Sequence, residues 1–179
     1  MSTDRTPEQL APAFAAVNRL AAAEAESAPA PTTTLLHLGD EHLVVLSGTG
    51  NQPEATHVLD VGAARIARTF FRHDLPTSGE IERAIDFVED EIMRLGERAG
   101  AAASVWSTSA AWQAWATVSG PTMSLETVED WFQRLASASL GQPAAMQGLP
   151  AGREAAASLL VLREIMHHRG YTSVTLTPP

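Results

Sequence analysis

The sequence predicts one α/β domain built on a mixed sheet. In the first third of the chain, three short β-like runs follow one another and are separated only by turns. After residue 62, long segments carry apolar residues at the spacing of amphipathic helices. Two more short apolar runs stand between these helices, as expected of strands that return to a sheet through crossovers. With 179 residues, 45% of them apolar, the chain can bury a core.

The first three strands form an antiparallel meander. The tight hairpin Gly39-Asp40-Glu41 separates the first two runs, and a longer Gly- and Pro-containing turn separates the second and third. The three runs are Thr33–Leu38, His42–Ser47 and Thr56–Val61.

The N-terminal part is expected to form a helix and a linker. Apolar spacing predicts a helix over Pro12–Ala25. The prolines of Ser27–Pro31 block regular hydrogen bonding, which is typical of a linker. The predicted division is therefore an N-terminal helix and Pro-rich linker, 1–31, and a single domain, 32–179.

The second half alternates helices with short strands. Thr77 and Glu80 form a capping-box pattern, and Ser124 is a second N-cap candidate. Glycines at 100 and 170 are candidate helix ends. The predicted elements are a helix over Ala63–Phe71, a helix from Thr77 to Gly100, a strand over Ala101–Trp106, a helix over Ala110–Val118, a helix from Ser124, a last helix ending at Gly170 and a strand over Thr172–Leu176.

The element order is therefore β-β-β-α-β-α-β with additional helices. A mixed five-stranded sheet, three antiparallel strands and then crossover strands, is the order of the ribonuclease-H-like fold. This fold is also the half-domain of actin-like ATPases. Nuclease chemistry of that fold needs carboxylates on the sheet to hold metal ions. His37 stands on the first strand instead, and the run Ala101–Trp106 carries no acid.

Composition excludes several classes of function. The net charge of −9, without a basic stretch, argues against binding to nucleic acid or to an anionic membrane. The absence of cysteine excludes disulfides and thiolate catalysis. No apolar run approaches the ~20 residues that span a bilayer, and the polar N-terminus lacks a signal-peptide pattern. We expect a cytoplasmic bacterial protein.

Several polar and aromatic clusters permit two interpretations. His37, His42 and His57 lie on neighbouring predicted strands and could bind zinc if they shared a face, although ordinary satisfied or exposed histidines are favoured. Asp40 and Glu41 favour a solvated turn over a metal site. Four tryptophans favour core packing, with a partner surface as the alternative. They are Trp106, Trp112, Trp115 and Trp131.

Charged runs on two predicted helices have structural explanations. Glu89, Asp90 and Glu91 are consecutive, so they do not share a helix face and are expected to be solvated. His167-His168-Arg169 stands at a helix C-terminus, where cations complement the helix dipole. The motifs of serine hydrolases, zinc proteases and nucleotide-binding loops do not occur.

Three segments resemble the exopolyphosphatase/guanosine pentaphosphate phosphatase (Ppx/GppA) family, in its C-terminal actin-like domain. Val58–Phe70 followed by His73–Thr77 is similar to the family's S-L-P-L-G-A-V-R-L-T-E-R-F and D-P-P-T. Gly148–Arg153 is similar to G-L-x-P-G-R, and Ser173–Leu176 to its last strand. The positions that match in the first segment are Gly62, Arg65, Phe70, Asp74, Pro76 and Thr77.

The departures from the family concern its phosphate loops. Where the family has D-I-G-G-G-S-T-E, only Gly39 remains, and Asp40 and Glu41 replace the following glycines. Where it has G-x-G-G-T, the chain reads Ser104–Thr108. The Asp of G-R-A-D falls on Ala155, and the family's first domain and closing segment have no counterpart here. The vestigial phosphate-binding positions implied by the resemblance are Gly39, Asp40, Glu41, Ser107 and Thr108.

The resemblance and its departures imply a phosphatase-like protein without catalytic or metal-binding residues of its own. We expect no cofactor, and an action through protein association, as a homodimer or with another protein partner. We also expect the acidic turn to repel anions. The alternative is an exopolyphosphatase or pppGpp phosphohydrolase subunit that another chain completes, in which case Mg²⁺ would be required.

Overall fold

A computed structural model describes residues 2–24, 32–96 and 104–177. The helices are α1 Pro7–Glu24, α2 Ala63–Phe70, α3 Ser78–Met93, α4 Ala110–Ser119, α5 Leu125–Ser139 and α6 Arg153–Arg169. The strands are β1 Thr33–Leu38, β2 Leu43–Gly48, β3 Ala55–Leu59, β4 Ser104–Ser107, β5 Thr122–Ser124 and β6 Ser173–Leu176. A short 3₁₀ turn covers Pro143–Met146.

The strands form one mixed sheet in the order β3-β2-β1-β4-β6-β5. β1, β2 and β3 are antiparallel neighbours, whereas β4 lies parallel to β1 and β6 parallel to β4. The predicted fold class is confirmed, but the sheet has six strands rather than five. The additional strand, β5, pairs antiparallel with β6 at the edge. It has three residues directly after Gly120-Pro121, too few to produce an alternating apolar pattern.

One face of the sheet carries the main core. Leu36 and Leu38 of β1 point into this core, together with residues of α2 to α6. α6 lies in the middle of the helical layer and contacts the four other helices there. Its residues from Ala156 to Leu162 are therefore all buried.

Three of the four tryptophans belong to this core, which confirms the packing interpretation for them. Trp112 and Trp115 are fully buried, and both indole nitrogens donate to Ser158, to its carbonyl at 2.9 Å and its hydroxyl at 3.1 Å. Trp131 packs against Trp115, with the ring centroids 5.1 Å apart. A partner surface made of these three side chains is therefore wrong. Trp106 is half-buried and belongs to the other face of the sheet.

The opposite face of the sheet is covered by α1. Leu10, Phe14 and Val17 of α1 pack against β1 and β2, where Leu35 and Leu46 are buried. Alternation along the strands puts these residues opposite the main core.

α1 begins five residues earlier than predicted. Thr6 is its N-cap: the Gln9 amide donates to the Thr6 hydroxyl at 3.4 Å, and the Thr6 amide donates to the Gln9 side chain at 2.8 Å. This reciprocal pair starts the helix before Pro7, which needs no backbone donor in the first turn. The predicted linker Ser27–Pro31 lies outside the described residues.

Other predicted boundaries are confirmed or shifted slightly. The Thr77–Glu80 capping box is present in full, Ser124 caps α5, and Gly170 ends α6 in the left-handed conformation. α3 ends at Met93 rather than at Gly100, and Gly100 lies outside the described residues. Within the described residues, no helix is both long enough and apolar enough to cross a bilayer.

Replacing Gly62 by Ala is expected to destabilise the fold. A Cβ atom at residue 62 would overlap the carbonyl group of Asp40. The backbone at Gly62 and that of the hairpin turn cannot easily move apart, because the Gly62 amide also donates to the Glu41 carbonyl at 3.0 Å. We expect the free energy of unfolding to fall by about 3 kcal/mol or more, measured by urea denaturation.

Gly79→Ala is the matched control. Its Cβ would lie 3.7 Å from the nearest atom outside the backbone of its own helix, Nη1 of Arg83. Since alanine is favoured over glycine within a helix, this variant should gain up to about 1 kcal/mol. Equal midpoints for Gly62→Ala and the unsubstituted chain would contradict the packing argument.

Candidate functional site

The five predicted site residues lie together at the carboxyl ends of β1 and β4. In open α/β sheets, ligands bind at this edge. β1 and β4 are parallel neighbours, and the Thr108 amide donates to the Leu36 carbonyl at 3.2 Å. The hairpin turn and the segment after β4 are thereby brought side by side. The residues in question are Gly39, Asp40, Glu41, Ser107 and Thr108.

The carbonyl groups of the hairpin turn face the N-terminus of α2. The amides of Gly62, Ala63 and Arg65 donate to the carbonyls of residues 41, 39 and 40, at 3.0, 3.0 and 2.9 Å. The first amides of a helix have no partner inside the helix, so the turn supplies their acceptors. The matching segment around Gly62 therefore serves to fix α2 against the hairpin.

The amide groups of the same turn bind a carboxylate of this chain. Oδ1 of Asp4 accepts from the amides of Glu41 at 3.0 Å and His42 at 3.1 Å. Partial burial by itself would raise the pKa of Asp4. The hydrogen bonds from the Glu41 amide, Ser2 and the His42 amide outweigh it and hold the pKa below its ordinary value.

The two acidic side chains of the turn are both engaged. Asp40 accepts from the amide and hydroxyl of Thr3, at 3.0 and 2.7 Å. Glu41 forms a bidentate pair with Arg68, with both distances 3.1 Å, and this hydrogen bonding lowers the pKa of Glu41. The turn thus holds the carboxylate of Asp4 although both of its own side chains are acidic, and the repulsion of external anions stays a prediction.

His37 connects the N-terminal segment to the end of β4. The residue is 3% exposed. Its Nε2 lies 2.9 Å from the Thr3 carbonyl, and its Nδ1 lies 3.0 Å from the Thr108 hydroxyl. Since a carbonyl can only accept, Nε2 carries the proton and Nδ1 accepts from Thr108. Burial lowers the pKa of His37, and the positive charge of Arg5 adds to this effect.

The serines after β4 are buried and bonded to each other. Ser107 donates its hydroxyl to that of Ser109 at 2.8 Å, and the Leu38 amide donates to the Ser109 hydroxyl at 2.7 Å. Ser107 is therefore a structural residue in this conformation. Trp106 lies within β4 on the α1 face of the sheet.

Two cavities border this edge of the sheet. One, of about 560 Å³, is lined by Thr3, Arg5, His37 and Thr108. The other is a largely apolar groove of about 490 Å³ between α1 and the start of α4, with Leu20 and Trp106 in its lining. The two share Arg5 and Thr108, so they form adjacent parts of one surface.

The alternative of a zinc site formed by His37, His42 and His57 is not supported. His37 pairs with Val44, whose side chain lies beneath α1, whereas His57 pairs with Val45, whose side chain lies in the main core. His37 and His57 therefore occupy opposite faces. In the part of the chain that the structure describes, no group of three or more His, Asp or Glu side chains is arranged to hold a metal ion.

Side chains of the charged runs on α3 and α6 have partners within the chain. His168 lies 3.6 Å from Glu89 and 3.3 Å from Glu164, which is buried. Glu91 is also buried and pairs with Arg94 at 2.6 Å, so it is not solvated as predicted. Of these contacts, the one between His168 and Glu89 joins α6 to α3, and the other two lie within one helix or at its end.

Sequence reasoning missed the N-terminal partners of the site. Thr3 and Asp4 stand in a polar stretch without a motif, and their contacts with the hairpin lie 34 to 38 residues further along the chain. Ser109 carried a usable signal, since it directly precedes a helical pattern.

Solved structures of Ppx/GppA proteins share this fold. The Aquifex aeolicus Ppx/GppA phosphatase, type II variant, is similar with a TM-score of 0.69 and 13% identity, over 93% of this chain and 57% of that chain. An exopolyphosphatase from Cytophaga hutchinsonii has a TM-score of 0.62 and 12% identity, over 92% and 58%. An exopolyphosphatase-like protein has a TM-score of 0.59 and 17% identity, over 93% and 62%.

The chain thus spans somewhat more than half the length of these proteins, and at such identities the likeness establishes the fold. No protein-family model matches the sequence, and no curated protein matches it. The ribonuclease-H-like, actin-like fold class predicted from the element order is confirmed.

The pKa shift of His37 predicts a specific pH dependence. Because its pKa in the folded protein lies below 6.5, the unfolded chain takes up this proton first as the pH falls. The free energy of unfolding should then decrease below pH 6.5, by at most about 1.4 kcal/mol per pH unit from this group. Asp4 contributes in a different window, since its stabilisation is lost only as the pH falls through a pKa below 3.8.

Urea denaturation between about pH 7.5 and 5.0, on either side of the ordinary histidine pKa, measures how steeply the free energy of unfolding depends on pH. His37→Gln should flatten it, whereas His73→Gln, which removes an exposed histidine, should leave it unchanged. A slope that His37→Gln does not alter would contradict the assignment of a neutral, buried ring.

Proposed function

We propose that this chain is a Ppx/GppA-like protein that does not hydrolyse phosphoanhydrides by itself and acts by association with another protein chain. Two facts support the proposal. The fold is that of Ppx/GppA structures. The backbone amides of the hairpin turn, which would be the natural ligands for a phosphate oxygen, are bonded to Asp4.

The occupied turn is the observation that carries the first half of the proposal. Phosphoryl transfer depends on groups that position the phosphate and stabilise its charge. Here the four polar side chains of the candidate site are each directed to a partner within the chain. Asp40 binds Thr3, Glu41 binds Arg68, Thr108 binds His37, and Ser107 binds Ser109.

The apolar groove beside α1 supports the second half. Leu20 is 51% exposed there, and Trp106 is only half-buried beneath it. A large aromatic side chain next to exposed aliphatic groups is typical of the centre of a protein interface. The first partner to test is a second copy of this chain, because closed dimers are the commonest oligomers.

A second candidate function is a phosphohydrolase subunit that another chain completes. The cavity of about 560 Å³ favours it, since Arg5, His37 and Thr108 border a space large enough for a small anionic ligand. In this case the partner chain would supply the catalytic groups, and Mg²⁺ would be needed.

The purified chain is expected to release no phosphate from polyphosphate or pppGpp, with or without Mg²⁺. The measurement is phosphate release at micromolar protein, compared with a heat-inactivated sample. Release that rises in proportion to the folded protein would overturn the first half of the proposal. Release that appears only after addition of a co-purified chain would favour the second candidate.

Association through the groove is tested by Leu20→Glu. Light scattering over a concentration series should show self-association of the unsubstituted chain, and Leu20→Glu should weaken it at least tenfold, since the new charge would lose its solvation in the contact. Leu140→Glu is the matched control, because Leu140 is 74% exposed and does not line the groove. A monomer at all concentrations, or equal weakening by both variants, would contradict this surface.

A further inference from the structure

The hairpin turn forms a small anion-binding concavity that the chain fills with its own carboxylate. Oδ1 of Asp4 accepts from two successive amides, those of Glu41 and His42, and Oδ2 accepts from the Ser2 hydroxyl at 2.8 Å. Successive N–H groups that converge on one point attract an anion, because each dipole adds positive charge at the same place. Asp4 thereby occupies the position that an oxygen of an external anion would take.

The N-terminal segment, Ser2–Arg5, is held in this position by Thr3. Its amide and hydroxyl both donate to Asp40, at 3.0 and 2.7 Å, and its carbonyl accepts from His37 at 2.9 Å. The three polar groups of Thr3 are thus bound to the hairpin. This contact aligns the carboxylate of Asp4 with the turn.

The turn is shaped for this close approach. A Cβ atom at residue 39 would overlap Oδ1 of Asp4 and would lie 2.9 Å from its Cα. Only glycine at this position leaves room for the segment. The Asp4 carboxylate is nevertheless partly accessible to solvent. Its side chain is 26% exposed, and Ser2 and Arg5 on either side of it are exposed.

Space for a larger anion adjoins the occupied amides. The cavity of about 560 Å³ is lined by Asp4, by the guanidinium-bearing Arg5 and by His37 and Thr108. A tetrahedral oxyanion that replaced the carboxylate alone, with the rest of the segment in place, would therefore find two amide donors, the guanidinium of Arg5 and an open approach. Elsewhere on the turn, Glu41 is paired with Arg68, which reduces its repulsion of such a ligand.

We propose that the N-terminal segment is an internal plug, which competes with an external oxyanion such as a phosphate group for the amides of Glu41 and His42. The site binds the oxyanion when the carboxylate of Asp4 is withdrawn. This inference goes beyond the proposed function, and different experimental results would contradict each of the two proposals. Hydrolysis by the unsubstituted chain would overturn the proposed function, whereas an anion affinity that is the same with and without the Asp4 carboxylate would overturn the plug.

The test is a titration of the full ¹⁵N-labelled chain with tripolyphosphate, followed by amide NMR signals. Asp4→Ala removes the carboxylate and retains the contact between Thr3 and Asp40. We expect it to bind tripolyphosphate at least about tenfold more tightly than the unsubstituted chain. The amide signals of Glu41 and His42 should move with the same saturation curve.

Glu8→Ala is the matched control, since it removes one exposed negative charge close to the same segment without touching the turn. It should bind tripolyphosphate as weakly as the unsubstituted chain. Equal affinities of Asp4→Ala and Glu8→Ala for tripolyphosphate would overturn the plug. Binding of tripolyphosphate to Asp4→Ala without a shift of the Glu41 and His42 amide signals would overturn it as well.

Asp4→Asn keeps the comparison decisive if Asp4→Ala does not fold. Asparagine retains the size of the side chain and one acceptor oxygen but loses the charge, so it should compete less well for the two amides. Circular dichroism establishes which variant is folded. A folded Asp4→Asn that binds tripolyphosphate no better than the unsubstituted chain would overturn the proposal.

Discussion

The peptide groups of the turn between β1 and β2 form hydrogen bonds with two different parts of the chain, and the structure around this edge of the sheet depends on these bonds. The carbonyls accept from the first amides of α2, and the amides donate to Asp4. Buried peptide groups need partners, so neither side of the turn can change without a compensating change elsewhere. The same turn therefore fixes α2 on one side of the hairpin and the start of the chain on the other. α1 begins within three residues of Asp4, and its packing over β1 and β2 starts from this anchor.

Satisfied polar groups limit the chemistry of this edge. His37, Ser107 and Ser109 are buried, and each has a hydrogen-bond partner in the hairpin, the N-terminal segment or the segment after β4. Such a network is stable because an unpaired polar group away from water is costly. It also engages the hydroxyl groups of Ser107 and Ser109 in a hydrogen bond to each other. The engaged side chains support the proposed lack of independent catalysis. The engaged amides support the proposed plug.

The regular elements could be predicted from the sequence because their signals are local. The Thr77–Glu80 capping box, the Ser124 cap and the stop at Gly170 depend on residues within one or two turns of the helix. β1 was placed at its observed ends for the same reason, since turn residues flank an apolar run. β5 was not predicted, because three residues carry no periodicity and the strand exists only through its pairing with β6. The start of α1 was misplaced because Pro7 and Pro12 obscured the capping pair Thr6 and Gln9.

By itself, the sequence determined the fold class, the position of the candidate site and the departures at Asp40 and Glu41, because these depend on residue types at fixed spacing. Only the tertiary structure decided what these residues do. Sequence reasoning gave Asp40 and Glu41 the role of repelling anions, whereas in the fold Asp40 holds Thr3 and Glu41 binds Arg68. It also placed His37 and His57 on the first and third strands of the meander but could not assign their faces, because a shift of one residue in register reverses every side chain. The pairing of Asp4 with the turn joins residues 37 positions apart, and no local pattern encodes such a contact.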